Sequence, residues 1–349
     1  MVCLTVKIVV AEPNLLVHRD RFEAALPAGT EVVWDGGVSD LPDADVFVGG
    51  RFTAEMAARA GKLRLVHVAG AGTDKVDFAS LHPDTVVANT FHHERSIAEY
   101  VLAAAVLLRR DFLAQDRALR SGTWATSVYD PNLAQLPAIG QARIGLVGFG
   151  HIGRRVWDLF GGLGAAGVAV SGSGRVDAAA HGLAWAGDTS ALDRLMTESD
   201  VVVVSAPLTA TTEGMIGPDQ LRALGPDGVL INVGRGPLVA ERALYDALLE
   251  QTIRAAAIDV WYRYPGPDGH GLPSAQPFHE LSNVLMTPHS SGVTTDTFAG
   301  RADEIAANIG RLGRGEPLTH QVSRPISADP IGSPISADPI SSPVSALRP

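Results

Sequence analysis

The sequence predicts an α/β protein with two doubly wound parallel sheets. At 349 residues the chain is long enough for two domains that each bury a core. Short runs rich in β-branched residues alternate with helical patterns, and this alternation is typical of parallel sheets that helices cover on both faces. Runs such as VVVVSAP at 201–207 are almost continuously apolar, which indicates strands buried on both faces.

The first series of elements occupies the N-terminal part of the chain. Strands are predicted at 5–10, 31–35, 45–50, 64–70 and 85–90, and helices at 15–26, 53–61 and 74–81. A long helical pattern then runs from Ser96 to about Arg120. We therefore expect one sheet before this helix and a second sheet after it.

The second series is more regular. Strands are predicted at 142–148, 167–172, 201–207, 228–234, 255–261 and 283–289. A helix predicted at 297–315 has no strand partner, so we expect it to cross back onto the first series. From Pro325 onward the sequence repeats with a nine-residue period, and its proline density excludes helix and central strand. We expect a disordered or extended tail there, with an arm lying along a partner subunit as the alternative.

Composition argues against several classes of protein. The formal net charge of −10 argues against nucleic acid as a partner. Cys3 is the only cysteine, so no internal disulfide and no thiolate metal cluster can form, and a reducing cytoplasm is the expected location. The longest apolar run, YVLAAAVLL at 100–108, has nine residues, whereas a membrane span needs roughly 20. We expect neither a metal site nor membrane association.

The most informative stretch is a glycine pattern between a strand and a helix. Gly148, Gly150 and Gly153 form G-x-G-x-x-G. The first glycine permits a tight turn, the second lets a pyrophosphate approach the backbone, and the third lets the helix pack on the strand. The amides at the start of the helix, around His151 and Ile152, would face the anion. The pattern predicts a Rossmann domain that binds a dinucleotide.

The end of the next strand bears on the choice between NAD and NADP. An NAD site usually has Asp or Glu there to bind the ribose hydroxyls, but this chain has Ser171. Ser171, Ser173 and Arg175 can all donate hydrogen bonds to a 2′-phosphate, which makes NADP the preferred cofactor and NAD the alternative. The simpler interpretation of SGSG at 171–174 is a flexible loop.

Seven motifs together resemble the D-isomer-specific 2-hydroxyacid dehydrogenase family. They are VAGAGTDKVD (68–77), RSIAEYV (95–101), GLVGFGHIG (145–153), APLTATT (206–212), INVGRGPLV (231–239), AAIDVW (256–261) and MTPHSSG (286–292). They occur in the family's order and spacing, and the resemblance covers roughly residues 5 to 315.

The resemblance implies both an organisation and an activity. A flavodoxin-like substrate domain would consist of residues 1–99 and 289–320, a Rossmann domain of residues 100–288, and the tail of residues 321–349. The active site would lie in the cleft between the domains of a homodimer. The implied reaction is hydride transfer between a nicotinamide cofactor and a small, acidic 2-hydroxy or 2-keto acid, with reduction as the favoured direction.

The resemblance also assigns roles to single residues. Arg235 would grip the substrate carboxylate, a bidentate task that suits a planar guanidinium, and His289 would exchange a proton with the substrate oxygen. The backbone of Gly70, Ala71 and Gly72 would receive the same carboxylate. Further cofactor contacts, besides Arg235 and His289, would come from Ala206, Pro207, Thr212, Val233, Gly234, Asp259 and Ser291, with Asp259 beside the nicotinamide carboxamide.

The chain departs from the family's pattern at two places. Where the family normally has a glutamate that pairs with the histidine, this chain has Tyr264. A neutral tyrosine can hydrogen-bond to His289 and fix its tautomer, but it supplies no charge. The second departure is NTFHHERSIAEY at 89–100. There His92, His93 and Arg95 are candidates to hold a second anionic group, and a solvated loop is the simpler interpretation.

Two other functions compete with 2-keto acid reduction. DVWYRYP and MTPHSSGVTTD look partly like formate dehydrogenases, which have a neutral glutamine at the position of Tyr264. Formate oxidation needs no proton transfer to a substrate oxygen, although His93 stands where those enzymes have an asparagine. The third interpretation is a nucleotide-sensing regulatory protein without turnover, as some family members act as corepressors.

Overall fold

The computed structural model describes residues 6–266 and 268–323, which form two parallel sheets with helices on both faces. The strands are β1 (Lys7–Ala11), β2 (Glu31–Trp34), β3 (Val46–Gly49), β4 (Leu65–His67), β5 (Val86–Ala88), β6 (Arg143–Val147), β7 (Ala166–Val170), β8 (Trp185–Gly187), β9 (Val201–Val204), β10 (Val229–Asn232), β11 (Ala255–Ile258) and β12 (Val284–Met286). The α-helices are α1 (Arg19–Ala25), α2 (Ala54–Arg59), α3 (Glu94–Arg109), α4 (Phe112–Arg120), α5 (His151–Gly162), α6 (Ala178–His181), α7 (Leu192–Glu198), α8 (Pro218–Leu224), α9 (Glu241–Leu249) and α10 (Thr295–Arg314). The repeats predicted as a tail from Pro325 lie outside the described residues.

The first sheet has the strand order β2-β1-β3-β4-β5, and every pair in it is parallel. This is the order of the flavodoxin-like doubly wound fold. Alternate residues of β1 and β3 enter separate cores, with Ile8 and Val46 on one face and Val9 and Phe47 on the other. Burial on both faces explains the continuous apolar runs of the sequence. The predicted fold class is confirmed.

The second sheet has the order β12-β11-β10-β9-β6-β7-β8. From β8 to β11 this is the 3-2-1-4-5-6 order of a Rossmann fold, and β12 extends it by one parallel strand. The order reverses at β6, which pairs with β7 on one side and β9 on the other. Ligands of such sheets bind outside the carboxyl ends of the strands at this switch point.

Helix α10 packs against the first sheet, although it follows the last strand of the second. Phe298, Ala302 and Ile305 are buried in the same core as Ile8 and Val48. The helix begins with the Thr294 hydroxyl accepting from the amide of Thr297, a standard N-cap. Both ends of the described chain therefore build the first sheet's core. The exact domain boundaries remain a prediction.

Three elements differ from those predicted. The helix predicted at 74–81 is only a short 3₁₀ turn at Phe78–Ser80, which the carboxylate of Asp77 caps. The long helix divides into α3 and α4, because Asp111 adopts a left-handed φ of 56° that interrupts the helical hydrogen bonds. Strand β8 was missed, since its three half-buried residues lie at the sheet edge and carry no apolar run.

Within the described residues, no helix is long and apolar enough to cross a membrane. The same residues contain no group of three or more His, Cys, Asp or Glu side chains placed to hold a metal ion.

Candidate active site

The ends of β10, β11 and β12 bring distant parts of the sequence together. In the parallel register Asn232 lies beside Ile258, and Ile258 lies beside Met286. The segments that follow these residues therefore leave the sheet at one edge. These segments carry Arg235 and His289, the two residues expected to act on the substrate.

Arg235 reaches from the second sheet to the loop after β4. Its Nη2 donates to Asp74 Oδ1 at 2.9 Å, and its Nη1 donates to the carbonyl oxygen of Gly234 at 2.9 Å. The guanidinium rests against Gly72, where an added Cβ would collide with Nη2. Desolvation raises the pKa of Asp74, but the hydrogen bond and charge of Arg235 outweigh it, so the pKa lies below its ordinary value. Asp74 was not predicted as a site residue, although it stands in the VAGAGTDKVD motif.

Asp259 is almost completely buried, with 1% of its surface exposed. Its Oδ1 accepts from Thr287 Oγ1 at 2.6 Å and from the amide of Ser290 at 2.9 Å. Its Oδ2 accepts from the amide of Ser291 at 3.1 Å and from the Ser291 hydroxyl at 2.5 Å. The donors lie on both sides of His289 in the sequence. Asp259 therefore holds the turn that carries the histidine, a role that was not predicted from the sequence.

His289 adopts a φ of 58°, a left-handed conformation that is uncommon for a residue other than glycine. Its Nδ1 lies 2.9 Å from the hydroxyl oxygen of Tyr264. That oxygen also accepts from the amide of Trp261 at 3.4 Å, so the phenolic proton is available to Nδ1. In this arrangement a neutral imidazole carries its proton on Nε2. Among the described residues, no carboxylate forms an ion pair with His289.

The charges around His289 favour its neutral form. Desolvation lowers the pKa of His289 from its ordinary value, and the positive charges of Arg235 and Lys75 lower it further, while Asp259 and Asp74 act in the opposite direction. The Lys75 Nζ also lies 5.4 Å from the centre of the Tyr264 ring, a cation–π contact. Burial raises the pKa of Tyr264, so the phenol stays neutral.

The loop predicted to receive the substrate carboxylate is held by the end of β5. The amide of Thr90 donates to the carbonyl oxygen of Gly70 at 3.2 Å, and Asn89 Nδ2 donates to that of Ala71 at 2.8 Å. Gly72 completes the loop beside Arg235. Because the carbonyl groups of this loop are occupied by these donors, its peptide orientation is fixed.

The structure separates the three basic residues of the second departure. His92 Nε2 lies 2.7 Å from the Oε2 of Glu304 on α10. His93 is buried, and its Nδ1 lies 3.0 Å from Arg301 Nη2. Arg95 is exposed on the first turn of α3. They do not form one basic cluster, and Arg301 was missed because only the fold brings it to His93.

The glycine loop has the geometry that a pyrophosphate requires. Gly148 has a φ of 97°, and an added Cβ would collide with the backbone of Ala206. A Cβ at Gly153 would collide with the carbonyl oxygen of Gly148. Gly150 is the N-cap of the twelve-residue helix α5 and makes no side-chain cap hydrogen bond, so the first amides are free to bind an anion. His151 on the first turn is exposed. These features fit a dinucleotide.

The remaining predicted cofactor residues line the carboxyl ends of β7, β9 and β10. The Ser171 hydroxyl at the end of β7 is buried without a hydrogen-bond partner, an orphaned group that a ribose or phosphate oxygen would satisfy. The amide of Arg175 donates to Ser173 Oγ at 3.3 Å, and the Arg175 side chain is exposed. Of the other residues in this set, Ile152 packs against the core, and Val233 and Gly234 are buried. Pro207 follows Ala206, and its carbonyl oxygen accepts a hydrogen bond from Thr212 Oγ1 at 2.8 Å.

Comparison with known proteins agrees with this geometry. Residues 102–291 match the model of the NAD-binding domain of D-isomer-specific 2-hydroxyacid dehydrogenases. The chain is 30% identical over 269 residues to a glycerate dehydrogenase from Methylorubrum extorquens, covering 73% of this chain and 77% of that protein. It is 31% identical over 298 residues to a D-3-phosphoglycerate dehydrogenase from Mycobacterium bovis, covering 82% of this chain but only 53% of that protein.

A solved structure shows the same architecture over almost the whole described chain. The acyclic imino acid reductase Bsp5, solved in complex with NADPH and D-Arg, superposes with a TM-score of 0.76 and 26% identity. The match covers 91% of this chain and 100% of that structure. The family's enzymes transfer a hydride between a nicotinamide cofactor and 2-hydroxy or 2-keto acids. The chain belongs to the D-isomer-specific 2-hydroxyacid dehydrogenase family.

Proposed function

We propose that this protein reduces small 2-keto acids to 2-hydroxy acids and prefers NADPH. The observation that supports this best is the convergence of Arg235, His289 and Tyr264 at one sheet edge. Reducing the carbonyl group of an anionic substrate needs a fixed cation and a group that can donate a proton. Arg235 and His289 supply these, and Tyr264 is the neutral hydrogen-bond partner of His289. Asp259 and Asp74 hold two of these groups in place.

Substrate binding would exchange one carboxylate for another at Arg235. The ion pair with Asp74 is partly exposed, with 31% of the Arg235 side chain and 40% of the Asp74 side chain open to solvent. A pair of this kind contributes little to stability, so the substrate carboxylate can displace Asp74 from the guanidinium. The loop from Gly70 to Gly72 lies beside the same group. The adjacent ketone would then point toward His289.

Proton transfer would be the task of His289. A bound nicotinamide cofactor would supply the hydride that adds to the carbonyl carbon, and the imidazolium form of His289 would give its Nε2 proton to the carbonyl oxygen, which yields the 2-hydroxy acid and a neutral imidazole. The imidazole then regains a proton from water. Tyr264 contacts Nδ1 on the opposite side of the ring, so that Nε2 is the ring nitrogen left to transfer a proton. In the imidazolium form, Nδ1–H would donate to the phenolic oxygen.

The preference for NADP depends on the end of β7. Ser171 and Ser173 present hydroxyls there and Arg175 presents an exposed cation, whereas a carboxylate at Ser171 would repel a 2′-phosphate. Asp188 lies near this loop: its Cβ is 3.1 Å from the position that a Cβ would take at Gly174. Asp188 accepts from the amide and hydroxyl of Ser190, which leaves it less free to bind a ribose.

A second candidate function is hydride transfer to or from a substrate that needs no proton from His289. The neutral partner Tyr264 favours this candidate, because it does not stabilise imidazolium. Formate leaves as carbon dioxide after losing hydride, and a protonated imine already carries its proton on nitrogen. The similarity to an imino acid reductase supports including 2-imino acids.

A substrate panel tests both candidates. The purified protein is mixed with glyoxylate, pyruvate, 3-hydroxypyruvate or 2-ketoglutarate and NADPH or NADH, and nicotinamide absorbance is followed. Formate with NADP⁺ or NAD⁺ and a 2-keto acid with added amine complete the panel. Reduction of a 2-keto acid without amine supports the first proposal. Turnover of formate alone, or only in the presence of amine, supports the second. Cofactor binding without any turnover would support a nucleotide-sensing protein.

We also propose that the protein acts as a homodimer. The end of α4 and the segment after it expose a group of apolar side chains, namely Leu119, Trp124, Val128, Tyr129 and Leu133. Exposed apolar groups that cluster in sequence are typical of protein interfaces. Light scattering on the purified protein would give twice the chain mass of 36.5 kDa. A cytoplasmic location remains a prediction from the single cysteine.

A further inference from the structure

Tyr264 extends out of the core that its aromatic neighbours occupy. Trp261 and Tyr262 pack in the core of the second sheet, whereas 49% of Tyr264 is exposed. The Tyr264 hydroxyl oxygen lies 3.4 Å from the amide of Trp261 and 2.9 Å from His289 Nδ1. An exposed side chain loses entropy when it is held in one orientation, so a contact on the ring itself would help to keep Tyr264 against the histidine.

Lys75 supplies such a contact from the first sheet. Its Nζ lies over the Tyr264 ring, 5.4 Å from the ring centre. A cation in this position is attracted by the negative face of the aromatic ring. Lys75 is exposed, and no carboxylate among the described residues forms an ion pair with its ammonium group. The ring of Tyr264 is therefore the partner that the structure gives to this charge.

The backbone that carries Lys75 is fixed. The amide of Phe52 donates to the carbonyl oxygen of Lys75 at 3.1 Å, and Phe52 pairs with Val76 in a parallel bridge. Phe52 and Val76 are buried in one core of the first sheet. The neighbouring residue, Asp74, forms the ion pair with Arg235. Two successive residues of this loop therefore contact two residues of the candidate active site on the other side of the cleft.

Lys75 also acts on the charge of His289. Desolvation is the main reason why the pKa of His289 lies below its ordinary value. The positive charges of Arg235 and Lys75 lower this pKa further, whereas the negative charges of Asp259 and Asp74 raise it. Loss of the charge of Lys75 would therefore raise the pKa of His289 and extend the protonated form to higher pH.

We propose that Lys75 is a positioning residue that reaches across the cleft and holds the ring of Tyr264, and through it the imidazole of His289. The inference rests on the proposed proton donation by His289 and assigns the residue that keeps this donor oriented. Because Lys75 and Tyr264 lie on loops of different sheets, opening of the cleft would separate them. The orientation of His289 would then depend on the closed arrangement of the two sheets.

The kinetic test replaces the lysine with and without loss of charge. On the acidic plateau of the pH profile, Lys75→Met should lower kcat for a 2-keto acid roughly two- to fivefold, the value of one cation–π contact at an exposed site. It should also move the decline of kcat/KM to higher pH, because a positive charge near His289 is lost. Lys75→Arg keeps a cation over the ring and should retain wild-type behaviour. Lys62→Met, at another exposed lysine, is the matched control and should change neither quantity.

A second background separates positioning from charge. Tyr264→Leu removes the ring, so adding Lys75→Met to it should lower kcat no further, while the shift of the pH profile should remain. An equal loss of kcat from Lys75→Met in both backgrounds would overturn the proposal. A raised KM for the 2-keto acid with unchanged kcat would also overturn it, because Lys75 would then act on the substrate and not on Tyr264.

A measurement on the protein without substrate does not depend on turnover. Long-range ¹H–¹⁵N spectra of histidine-labelled protein report the tautomer and the titration of His289, and the His289→Asn spectrum assigns its signals. We expect the Nε2–H tautomer in the wild type, a larger share of Nδ1–H in Lys75→Met, and the wild-type ratio in Lys75→Arg and Lys62→Met. Identical tautomer ratios in the wild type and Lys75→Met overturn the inference even if 2-keto acids are reduced. If no 2-keto acid is reduced, the proposed function fails, while the spectra still decide the role of Lys75.

Discussion

Asp259 and His289 are coupled through the turn that follows β12. The carboxylate of Asp259 accepts hydrogen bonds from Thr287, Ser290 and Ser291, which flank the histidine. His289 itself has a φ of 58°, a conformation that costs of order 1 kcal/mol or more outside glycine and persists only where neighbours impose it. The buried carboxylate imposes it here. Its position at the end of an apolar strand is therefore explained by contacts within the protein, before any cofactor is considered.

Replacing Asp259 by Asn should impair both folding stability and catalysis. The NH₂ group of asparagine would face backbone amides or hydroxyls that now donate to the carboxylate. These buried donors would lose their acceptor, and leaving them unpaired costs about 1–3 kcal/mol. We expect a lower Tm and a kcat reduced more than the affinity for NADPH, measured by thermal denaturation and steady-state kinetics. Asp219→Asn, in an exposed pair with Arg222, is the control. A variant with normal kcat and a lowered Tm would limit Asp259 to a structural role.

Arg235→Gln should abolish most activity and leave cofactor binding nearly intact. The guanidinium faces Asp74 and the loop at Gly72, where the substrate carboxylate is expected, and a neutral amide cannot replace its charge-assisted hydrogen bonds. Fluorescence titration with NADPH and turnover of a 2-keto acid separate the two effects. Arg222→Gln removes an exposed arginine from a surface ion pair and should change neither. Equal losses of NADPH binding and turnover would contradict a role on the substrate.

How far the sequence predicts this site depends on whether a residue's role is local. The loop at Gly148 is predictable because strand, turn and helix are contiguous, and Arg235 and His289 stand in recognisable motifs. Asp74 and Arg301 were missed because their roles arise from partners 161 and 208 residues away in the chain. The break at Asp111 was also missed, since nothing in the apolar periodicity marks a single left-handed residue.

Ser171→Asp should reverse the cofactor preference. The wild type is expected to use NADPH with the higher kcat/KM, because hydroxyls and a cation surround the place of the 2′-phosphate. An aspartate there would repel the phosphate and bind the ribose hydroxyls of NADH, lowering kcat/KM for NADPH by at least about tenfold, or about 1.4 kcal/mol.

Since the Ser171 hydroxyl is buried, a charged side chain could also disturb folding, so Arg175→Ala provides a second test at an exposed position. It should raise the KM for NADPH and leave that for NADH unchanged. Ser282→Asp, on the exposed surface, is the matched control for added charge. A wild-type preference for NADH would show that the SGSG segment does not select NADP.

The pH dependence of reduction tests the pairing of Tyr264 with His289. The proton donor must be protonated when the 2-keto acid binds, so kcat/KM should fall as pH rises through the pKa of His289. That pKa lies below its ordinary value of about 6.5, because desolvation and two nearby cations disfavour imidazolium. The wild-type decline should therefore occur on the acidic side of neutrality.

Tyr264→Glu should move this decline to higher pH by about one unit, because a carboxylate turned toward Nδ1, the atom that the phenol now contacts, would stabilise the charged ring. Tyr264→Phe removes the hydrogen bond without adding charge, so it should lower kcat and produce no upward shift. Comparing the two variants separates the effect of a charge at position 264 from the effect of the hydrogen bond to His289. A wild-type profile that stays flat to pH 8.5 would show that proton donation by His289 does not limit the reaction. Turnover of formate or an imine by the same protein would then identify a substrate whose reaction needs no proton from His289.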